Sequence, residues 1–313
     1  MKIAFFSEAG YTGVPPRDHP NARVDIAWPV ILKATHHPIL TAHTLPSDLY
    51  DIGILIIPKQ KETVVNYPMV SELKRVCKKV ATVQEGAHWY FQDYEIPDQI
   101  WYFNILMEMD FLLAHNLSDR LYYAGLTGKP AFVMPTVIIE ENIKKSTNKI
   151  DATIIGGNLV SVYGGFDSYT IALELEKPIY AISTGRMKPE EREMGIIHLP
   201  WMQWSDWITK LSEFKYAVQL QRVFSAGTFA LNCAMLGIPC IGYRGIDTQS
   251  MCHPELSVDV SDLQNARRLA RKLRDDDEFY AKCSESAYNR YKLEFSEQMF
   301  VEKWNNIMEE IKI

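Results

Sequence analysis

The sequence lacks several features that would place it in a specialised class of protein. Its five cysteines are an odd number and show no Cys-x-x-Cys spacing, which argues against a disulfide framework or a zinc site. We expect reduced, mostly buried thiols. No segment approaches the roughly 20 consecutive apolar residues that cross a bilayer, and the apolar start, Met1 to Phe6, is too short for a signal peptide. We therefore expect a cytoplasmic protein without a membrane span.

Positive charge is also scarce. Against 39 acidic residues the chain has 33 lysines and arginines, a net charge of −6, so no strong global field attracts a polyanion. A short basic cluster, Lys74 to Lys79, falls at the end of a predicted helix, where cations interact favourably with the helix dipole. Charge alone therefore does not indicate nucleic acid as a substrate.

The chain does contain a regular alternation of short, apolar, β-rich runs with helical patterns. This alternation is typical of parallel sheets built from βαβ units, and it predicts an α/β protein with two doubly wound, Rossmann-like domains. A polar stretch around Lys144 to Lys149 interrupts the pattern, so we place a first domain at 1–148 and a second at 149–294. The helical tail breaks near Phe295-Ser296, and residues 295–313 are expected to pack back on the first domain. Predicted strands cover 2–6, 39–43, 52–57, 80–84, 111–115, 131–134, 152–155, 179–183, 196–199, 217–220 and 240–243. The first predicted helix covers 24–35, and His36-His37 are interpreted as its end.

Two glycine pairs stand close together in the segment "IIGGNLVSVYGGFDSY". Gly156 and Gly157 follow a predicted strand, and the second pair, Gly164-Gly165, precedes a plausible helix start. Bare N–H groups and the positive end of a helix dipole would suit a diphosphate. Tight structural turns are the alternative explanation, because glycine is also favoured wherever φ must be positive.

Four further segments in the second half offer groups for a nucleotide sugar. Ser225, Gly227 and Thr228 form a helix start with hydroxyl donors, which suits an anion. Arg186 and Lys188 follow another strand and could neutralise phosphate charge.

The other two segments suit the remaining parts of such a ligand. We predict a polar loop from Gly245 to Gln249, in which Asp247 and Gln249 suit the hydroxyls of a sugar. In "HLPWMQW", Trp201 and Met202 would lie near a nucleotide base.

The order of these motifs resembles the donor domain of GT-B glycosyltransferases, and the "IIGGN" turn is similar to that of phage-type DNA β-glucosyltransferases. The likeness covers Asp151 to about Asp262, and the first half only in its general pattern. It implies two Rossmann-like domains facing a cleft, with the donor in the second domain. It also implies the transfer of a hexosyl or pentosyl group from a nucleoside diphosphate sugar, a UDP-sugar first of all. Retaining members carry two glutamates eight positions apart, where this chain has Phe224 and Asn232, so we expect inversion.

The resemblance assigns roles to the residues above. Gly156, Gly157, Arg186, Lys188, Ser225, Gly227 and Thr228 would bind the donor diphosphate, and Asp247 and Gln249 the donor sugar. Positive groups and helix dipoles would stabilise the leaving group, so we expect no essential metal ion and no cofactor besides the donor.

The first half should then hold the acceptor and a general base. Inverting transfer is a single displacement in which a carboxylate or histidine takes the proton of the attacking hydroxyl. Glu85 is the first choice because it ends a predicted strand and is followed by Gly86; His88 is the second. A carboxylate after the matching strand is the base in the phage DNA enzymes that the chain resembles. Capping of the following turn is the structural alternative for Glu85.

Candidate acceptor-binding residues are Asp18, His19 and Asp25, in the loop that enters the first helix, and Asn116 after a later strand. For His19 and Asp25, helix capping is the alternative. The acceptor could be a glycan, a small molecule or a hydroxymethylated DNA base. Two other functions stay open at this stage: a nucleotide-sugar epimerase on the same scaffold, and a non-catalytic protein that binds a nucleotide or sugar.

Overall fold

The computed structural model describes residues 1–7, 11–20, 24–38, 46–57, 67–141, 143–157, 159, 161–182 and 190–312. The chain divides into two compact units. Unit 1 comprises Met1–Glu141 and Glu297–Ile313, and unit 2 comprises Asn142–Ser296. Each unit contains one six-stranded sheet in which every pair of neighbouring strands is parallel. The predicted α/β class is confirmed.

The sheet of unit 1 has the strand order β2-β1-β3-β4-β5-β6. Because β1 pairs with both β2 and β3, the strand order reverses between β1 and β3. The strands are β1 (Ile3–Ser7), β2 (Thr35–Pro38), β3 (Tyr50–Ile57), β4 (Cys77–Gln84), β5 (Phe111–Ala114) and β6 (Ala131–Val133). The helices are α1 (Val24–Leu32), α2 (Tyr67–Val76), α3 (His88–Gln92), α4 (Ile96–Glu108), α5 (Leu117–Thr127) and, at the end of the chain, α13 (Glu297–Glu310).

Helices cover both faces of this sheet, which explains why strands β1, β3 and β5 are mostly apolar along their length rather than alternating. On one face, Trp28 of α1 packs with Phe300 and Trp304 of α13. On the other face, Val70 of α2 and Tyr102 of α4 pack against the same strands. The run "YDIGILII" in β3 is therefore buried on both sides.

The sheet of unit 2 has the strand order β12-β11-β10-β7-β8-β9, which reverses between β7 and β10. The strands are β7 (Ile150–Ile155), β8 (Ile179–Ile182), β9 (Ile196–Leu199), β10 (Phe214–Gln219), β11 (Cys240–Tyr243) and β12 (Ser257–Val258). The helices are α6 (Gly165–Ala172), α7 (Glu190–Glu193), α8 (Trp204–Leu211), α9 (Thr228–Met235), α10 (Asp247–Cys252), α11 (Leu263–Asp275) and α12 (Asp277–Phe295), with short 3-10 turns at Ser161–Tyr163 and Pro254–Leu256.

Local structure departs from the sequence predictions at two places in unit 1. The first helix was predicted to reach residue 35, but it ends at Leu32 because Lys33 takes a positive φ of 51°. The chain then enters β2 at Thr35–Pro38, where Phe5 pairs with His36. The predicted strand 39–43 falls on residues that the structure does not describe. The short helix α3 was not predicted.

Two other features of the sequence agree with the structure. The helical tail breaks at Ser296, whose φ of −63° and ψ of 162° separate α12 from α13. All five cysteines are buried free thiols, as expected. Among the helices of the described residues, none is long and apolar enough to cross a membrane.

Candidate functional site

The carboxyl ends of the unit 2 strands meet at one edge of the sheet, and ligands of open α/β sheets bind where the strand order reverses. Here that point lies between β7 and β10. Gly156 and Gly157 directly follow β7, and the loop with Ser225, Gly227 and Thr228 follows β10. The backbone N–H of Gly156 donates to Val218 O at 2.9 Å, which ties the two strand ends together. The structure thus brings both predicted anion-binding loops to neighbouring strand ends.

The first glycine pair has a packing reason of its own. A Cβ on Gly156 would lie 2.4 Å from the Phe229 ring, so α9 approaches the end of β7 as closely as the absence of a side chain permits. Its N–H is already engaged by Val218 O and is not available to an anion. Gly157 has a φ of 73°, and a Cβ there would lie 3.0 Å from Tyr163. For Gly156, the structure therefore favours the close approach of a helix over a direct phosphate contact.

The N-terminus of α9 is the stronger candidate for binding an anion. Gly227 precedes the helix in the left-handed conformation, with a φ of 65°, and no side chain in the described part of the chain caps the first N–H groups. Thr228, the first helical residue, is exposed. The Ser225 hydroxyl accepts hydrogen bonds from the Gln221 side chain at 2.7 Å and from Gly227 N at 3.3 Å, so it shapes the loop. Uncapped N–H groups at a helix start are the usual partners of phosphate.

The segment predicted as a polar sugar-binding loop is instead the short helix α10. Gln249 is only 2% exposed, and its amide N–H groups donate to Cys240 O at 2.9 Å and to Ser257 Oγ at 3.3 Å. A contact between Gln249 and a donor sugar therefore finds no support in its placement, because the side chain supports the interior of the unit. Asp247 begins the helix and is half-buried. Thr248 donates to Gly227 O at 2.8 Å and so links α10 to the loop before α9.

The remaining donor candidates are Trp201, Met202, Arg186 and Lys188. Trp201, 73% exposed, and the half-buried Met202 follow β9, the edge strand, two strands away from β7. Arg186 and Lys188 lie outside the described residues. Sequence reasoning missed Arg222, which follows β10 and forms an ion pair with Asp167 Oδ2 at 2.7 Å. Its position in the loop after β10 was the available signal.

At the corresponding edge of unit 1, Glu85 and His88 follow β4. Glu85 N donates to Ile57 O at 2.8 Å, and its side chain is half-buried. His88 begins α3, and its Nδ1 lies 2.6 Å from Asp119 Oδ1, which also accepts from His88 N at 3.0 Å. The His88 side chain is 15% exposed and that of Asp119 only 3%. Because a carboxylate accepts the Nδ1 hydrogen, Nε2 of the neutral ring keeps its lone pair.

Asp119 is itself fixed by Asn116 at the start of α5. Asn116 Oδ1 accepts from Asp119 N at 2.8 Å, and Asn116 Nδ2 donates to Asp119 Oδ2 at 2.8 Å. The His88 ring also stacks on Tyr122, with centroids 4.5 Å apart and planes at 22°. Asn116, which was predicted to bind the acceptor, is 2% exposed, caps the helix and hydrogen-bonds to Asp119. Asp119 was missed, although the spacing "NLSD" is that of a cap residue and its third helical position.

No hydrogen bond of His88 Nε2 is present among the described residues. The arrangement therefore supplies a histidine that is oriented by a buried carboxylate and offers one free ring nitrogen. In this geometry the histidine can take a proton, and the carboxylate stabilises the imidazolium that forms.

The other predicted acceptor residues follow β1, two strands away from β4. Asp18 is exposed, and half-buried His19 meets the Tyr11 ring edge-on at 5.8 Å. Asp25 lies in the first turn of α1, and its Oδ1 is buried with no hydrogen-bond partner among the described residues. His115, which follows β5, is almost fully buried, and desolvation lowers its pKa to about 4, so it is a poor base. Within the described ranges, no three His, Cys, Asp or Glu residues converge to hold a metal ion.

No family model matches this chain, and no curated protein matches it by sequence. Solved structures do match its fold. HepE of Anabaena, in complex with UDP and glucose, has a TM-score of 0.69 and 11% identity, and the match covers 99% of this chain and 100% of that one. An alpha-glucosyltransferase, in complex with UDP and a 13-mer DNA containing an HMU base, has a TM-score of 0.65 and 12% identity, covering 98% of this chain and 99% of that one.

Sucrose-phosphate synthase of Thermosynechococcus elongatus has a TM-score of 0.63 and 10% identity, covering 84% of this chain and 74% of that one. At these identities the likeness establishes the fold. It confirms the predicted fold class, which is α/β with two Rossmann-like units of the GT-B type.

Proposed function

We propose that this protein transfers a sugar from a nucleoside diphosphate sugar, first of all a UDP-sugar, to a hydroxyl group of an acceptor. The shared fold supports the donor class, because two of the structures described above contain UDP. The observation that favours a transferase over a binding protein is the histidine at the edge of unit 1. A buried carboxylate orients its ring and leaves Nε2 free, an arrangement that ligand binding alone does not require.

The donor is assigned to unit 2. Its diphosphate would meet the first turn of α9, where uncapped N–H groups lie at the positive end of the helix dipole and the exposed Thr228 begins the helix. Arg186 and Lys188 are proposed as further phosphate contacts, and Trp201 with Met202 as contacts of the base. Asp247, at the start of α10, is proposed to contact the donor sugar.

His88 is proposed as the general base in preference to Glu85, because its ring is held in one orientation. Its Nε2 would take the proton of the acceptor hydroxyl as the acceptor oxygen bonds to the anomeric carbon. The bond from that carbon to the diphosphate breaks, and the nucleoside diphosphate leaves with the electron pair. This single displacement inverts the anomeric centre, in line with Phe224 and Asn232 at the positions of the retaining glutamates.

The direct test is calorimetry of the purified protein with UDP, GDP and ADP, followed by a nucleotide-release assay with the matching sugars, each with and without EDTA. We expect UDP to bind and UDP-sugar to release UDP when an acceptor is present. The absence of binding by every diphosphate would contradict the proposal. An epimerase would instead convert the sugar without releasing UDP, which product analysis would show.

A further inference from the structure

Asn116, at the start of α5, makes two hydrogen bonds to one residue, Asp119. Its Oδ1 accepts from Asp119 N at 2.8 Å, which is the contact of a helix cap. A backbone N–H can only donate, so this contact fixes which end of the amide is the oxygen. Nδ2 then faces the Asp119 side chain and donates to Oδ2 at 2.8 Å. The two ends of a single amide group therefore hold the backbone and the carboxylate of Asp119.

The bond from Nδ2 goes beyond what capping requires. Asparagine and aspartate cap helices about equally well, because each supplies an acceptor oxygen. An ionised aspartate at position 116 would present only oxygens to Asp119 and would repel its carboxylate. Both residues are buried, so the Asp119 carboxylate depends on protein groups for its hydrogen bonds. The donor end of the Asn116 amide therefore serves the carboxylate and not the helix.

The other oxygen of Asp119 holds His88. Oδ1 accepts from His88 N at 3.0 Å and lies 2.6 Å from Nδ1 of the ring. The ring also stacks on Tyr122, with centroids 4.5 Å apart and planes at 22°. Stacking sets the plane of the ring, and the bond at Nδ1 sets the direction in which Nε2 points. The position of Nε2 therefore depends on where the Asp119 carboxylate lies, and Asn116 fixes the second oxygen of that carboxylate.

We propose that Asn116 is a positioning residue for the general base. Its amide holds the Asp119 carboxylate in the orientation that keeps the hydrogen of His88 on Nδ1 and aims the lone pair of Nε2. The inference rests on the proposed function, in which Nε2 takes the proton of the acceptor hydroxyl. In this role Asn116 acts only through Asp119. Its effect on turnover should therefore vanish when the Asp119 carboxylate is removed.

The first experiment observes the His88 ring by nitrogen-15 NMR of protein with labelled histidine, and a His88→Gln variant assigns the signals. The protonated and unprotonated nitrogens of a neutral ring have separate shifts, so the spectrum identifies the tautomer. We expect the native protein to carry the hydrogen on Nδ1 and Asn116→Asp to show a mixture of tautomers. The same single tautomer in Asn116→Asp would overturn the proposal. This measurement needs no substrate.

The second experiment measures kcat and KM in the UDP-release assay. Asn116→Asp keeps an acceptor for the cap, and Asn116→Gly removes the amide without adding charge at a position where glycine is tolerated. Each should lower kcat about tenfold, as expected for the loss of one hydrogen bond to a charged group, with KM nearly unchanged. The matched control is Asp276→Gly in unit 2. It removes the cap contact to Phe279 N at 2.9 Å at the start of α12, and it should leave kcat unchanged.

A double-mutant cycle tests whether Asn116 acts through Asp119. In the Asp119→Ala background, Asn116→Gly should change kcat less than about twofold. A further tenfold loss in that background, or native kcat in both single variants, would overturn the positioning role and leave the glycosyltransferase in place. Failure of every nucleoside diphosphate to bind would instead remove the proposed function, and the tautomer measurement would then decide whether Asn116 positions the His88 ring.

Discussion

The two units of this chain have similar sheets, but the residues at the carboxyl edges of the two sheets differ in their chemistry. Both sheets are parallel and six-stranded, and in both the strand order reverses beside the first strand of the unit. At the carboxyl edge of unit 2, glycines, hydroxyl groups and an uncapped helix start are present. At the edge of unit 1, carboxylates and aromatic rings surround a histidine. The fold is thus repeated, while the chemistry of each edge is set by its loops.

This difference would suit a transfer reaction in which one unit binds the donor and the other supplies the base. An anionic donor would be stabilised where N–H groups and a helix dipole point outward. A proton acceptor functions best where carboxylates stabilise its charged form. The predictions below test whether the two edges act separately.

The largest effect is expected from His88→Ala in unit 1. Loss of a general base should lower kcat by about 10²- to 10⁴-fold, and UDP affinity should stay unchanged because the donor is assigned to unit 2. Steady-state kinetics and calorimetry with UDP measure the two quantities.

Asp119→Asn is the companion variant, because it removes the charge that orients His88. It should lower kcat with little change in KM. If His88→Ala keeps more than half of the native kcat, Glu85 becomes the base, and Glu85→Gln would then abolish turnover.

The second prediction compares one glycine from each unit. Gly164 in unit 2 and Gly128 in unit 1 have similar positive φ values of 62° and 69°. A Cβ on Gly164 would lie 1.8 Å from Leu220 O, whereas nothing lies within 4 Å of a Cβ on Gly128. Gly128→Ala should cost about 1–2 kcal/mol from backbone strain alone, and Gly164→Ala should cost clearly more.

Urea unfolding of both variants measures these costs. The difference between the two losses in unfolding free energy measures the cost of the steric clash between the added methyl group and the loop after β10. Equal losses would show that unit 2 can relax around the added methyl group.

The third prediction concerns the stability of the protein at acidic pH, to which both units should contribute because each contains a buried histidine. Burial lowers the pKa of His115 in unit 1 and of His253 in unit 2 to about 4, from an ordinary value of 6.5. Between those pH values the unfolded chain binds more protons than the folded one. The free energy of unfolding should therefore fall as the pH decreases, by up to about 1.4 kcal/mol per pH unit for each histidine.

Urea unfolding at pH 7.5, 6.0 and 5.0 measures this slope. His253→Gln should make it shallower. A free energy of unfolding that does not change between pH 7.5 and 5.0 would contradict the burial of both rings.

The smallest effect is expected from Thr228→Val at the start of α9. Loss of one hydroxyl contact to a phosphate should weaken UDP binding by about 3- to 10-fold, since a single hydrogen bond contributes about 0.5–1.5 kcal/mol. Thr209→Val on α8 is a control, because the Thr209 hydroxyl donates to Ser205 O within its own helix. Unchanged UDP affinity in Thr228→Val would remove α9 from the donor site.

Much of the fold was predictable from local patterns. The strand runs around Ile52, Ile196 and Cys240 are apolar and bounded by turn residues, and the structure has strands there. The prediction failed at His36-His37, which were interpreted as a helix end. Pairing of these residues with β1 outweighed their local preference, and the Ser7 hydroxyl lies 2.9 Å from His36 Nε2.

The candidate site was less predictable, because its contacts join residues that are distant along the chain. His88 was selected from its place after a strand, but its partner Asp119 lies 31 residues later. Asn116 and Gln249 were predicted to bind ligands because they are polar and follow strands. The structure buries both, and their amide groups are bound to protein atoms.

By itself, the sequence determined the alternation of strands and helices, the buried state of the cysteines and the chemistry available after each strand, because those depend on residue type and short-range spacing. Tertiary structure alone decided which side chains meet. The sheet order places β7 beside β10, and the packing of α3 against α5 brings Asp119 to His88. Such contacts arise from how elements pack, which local periodicity does not encode.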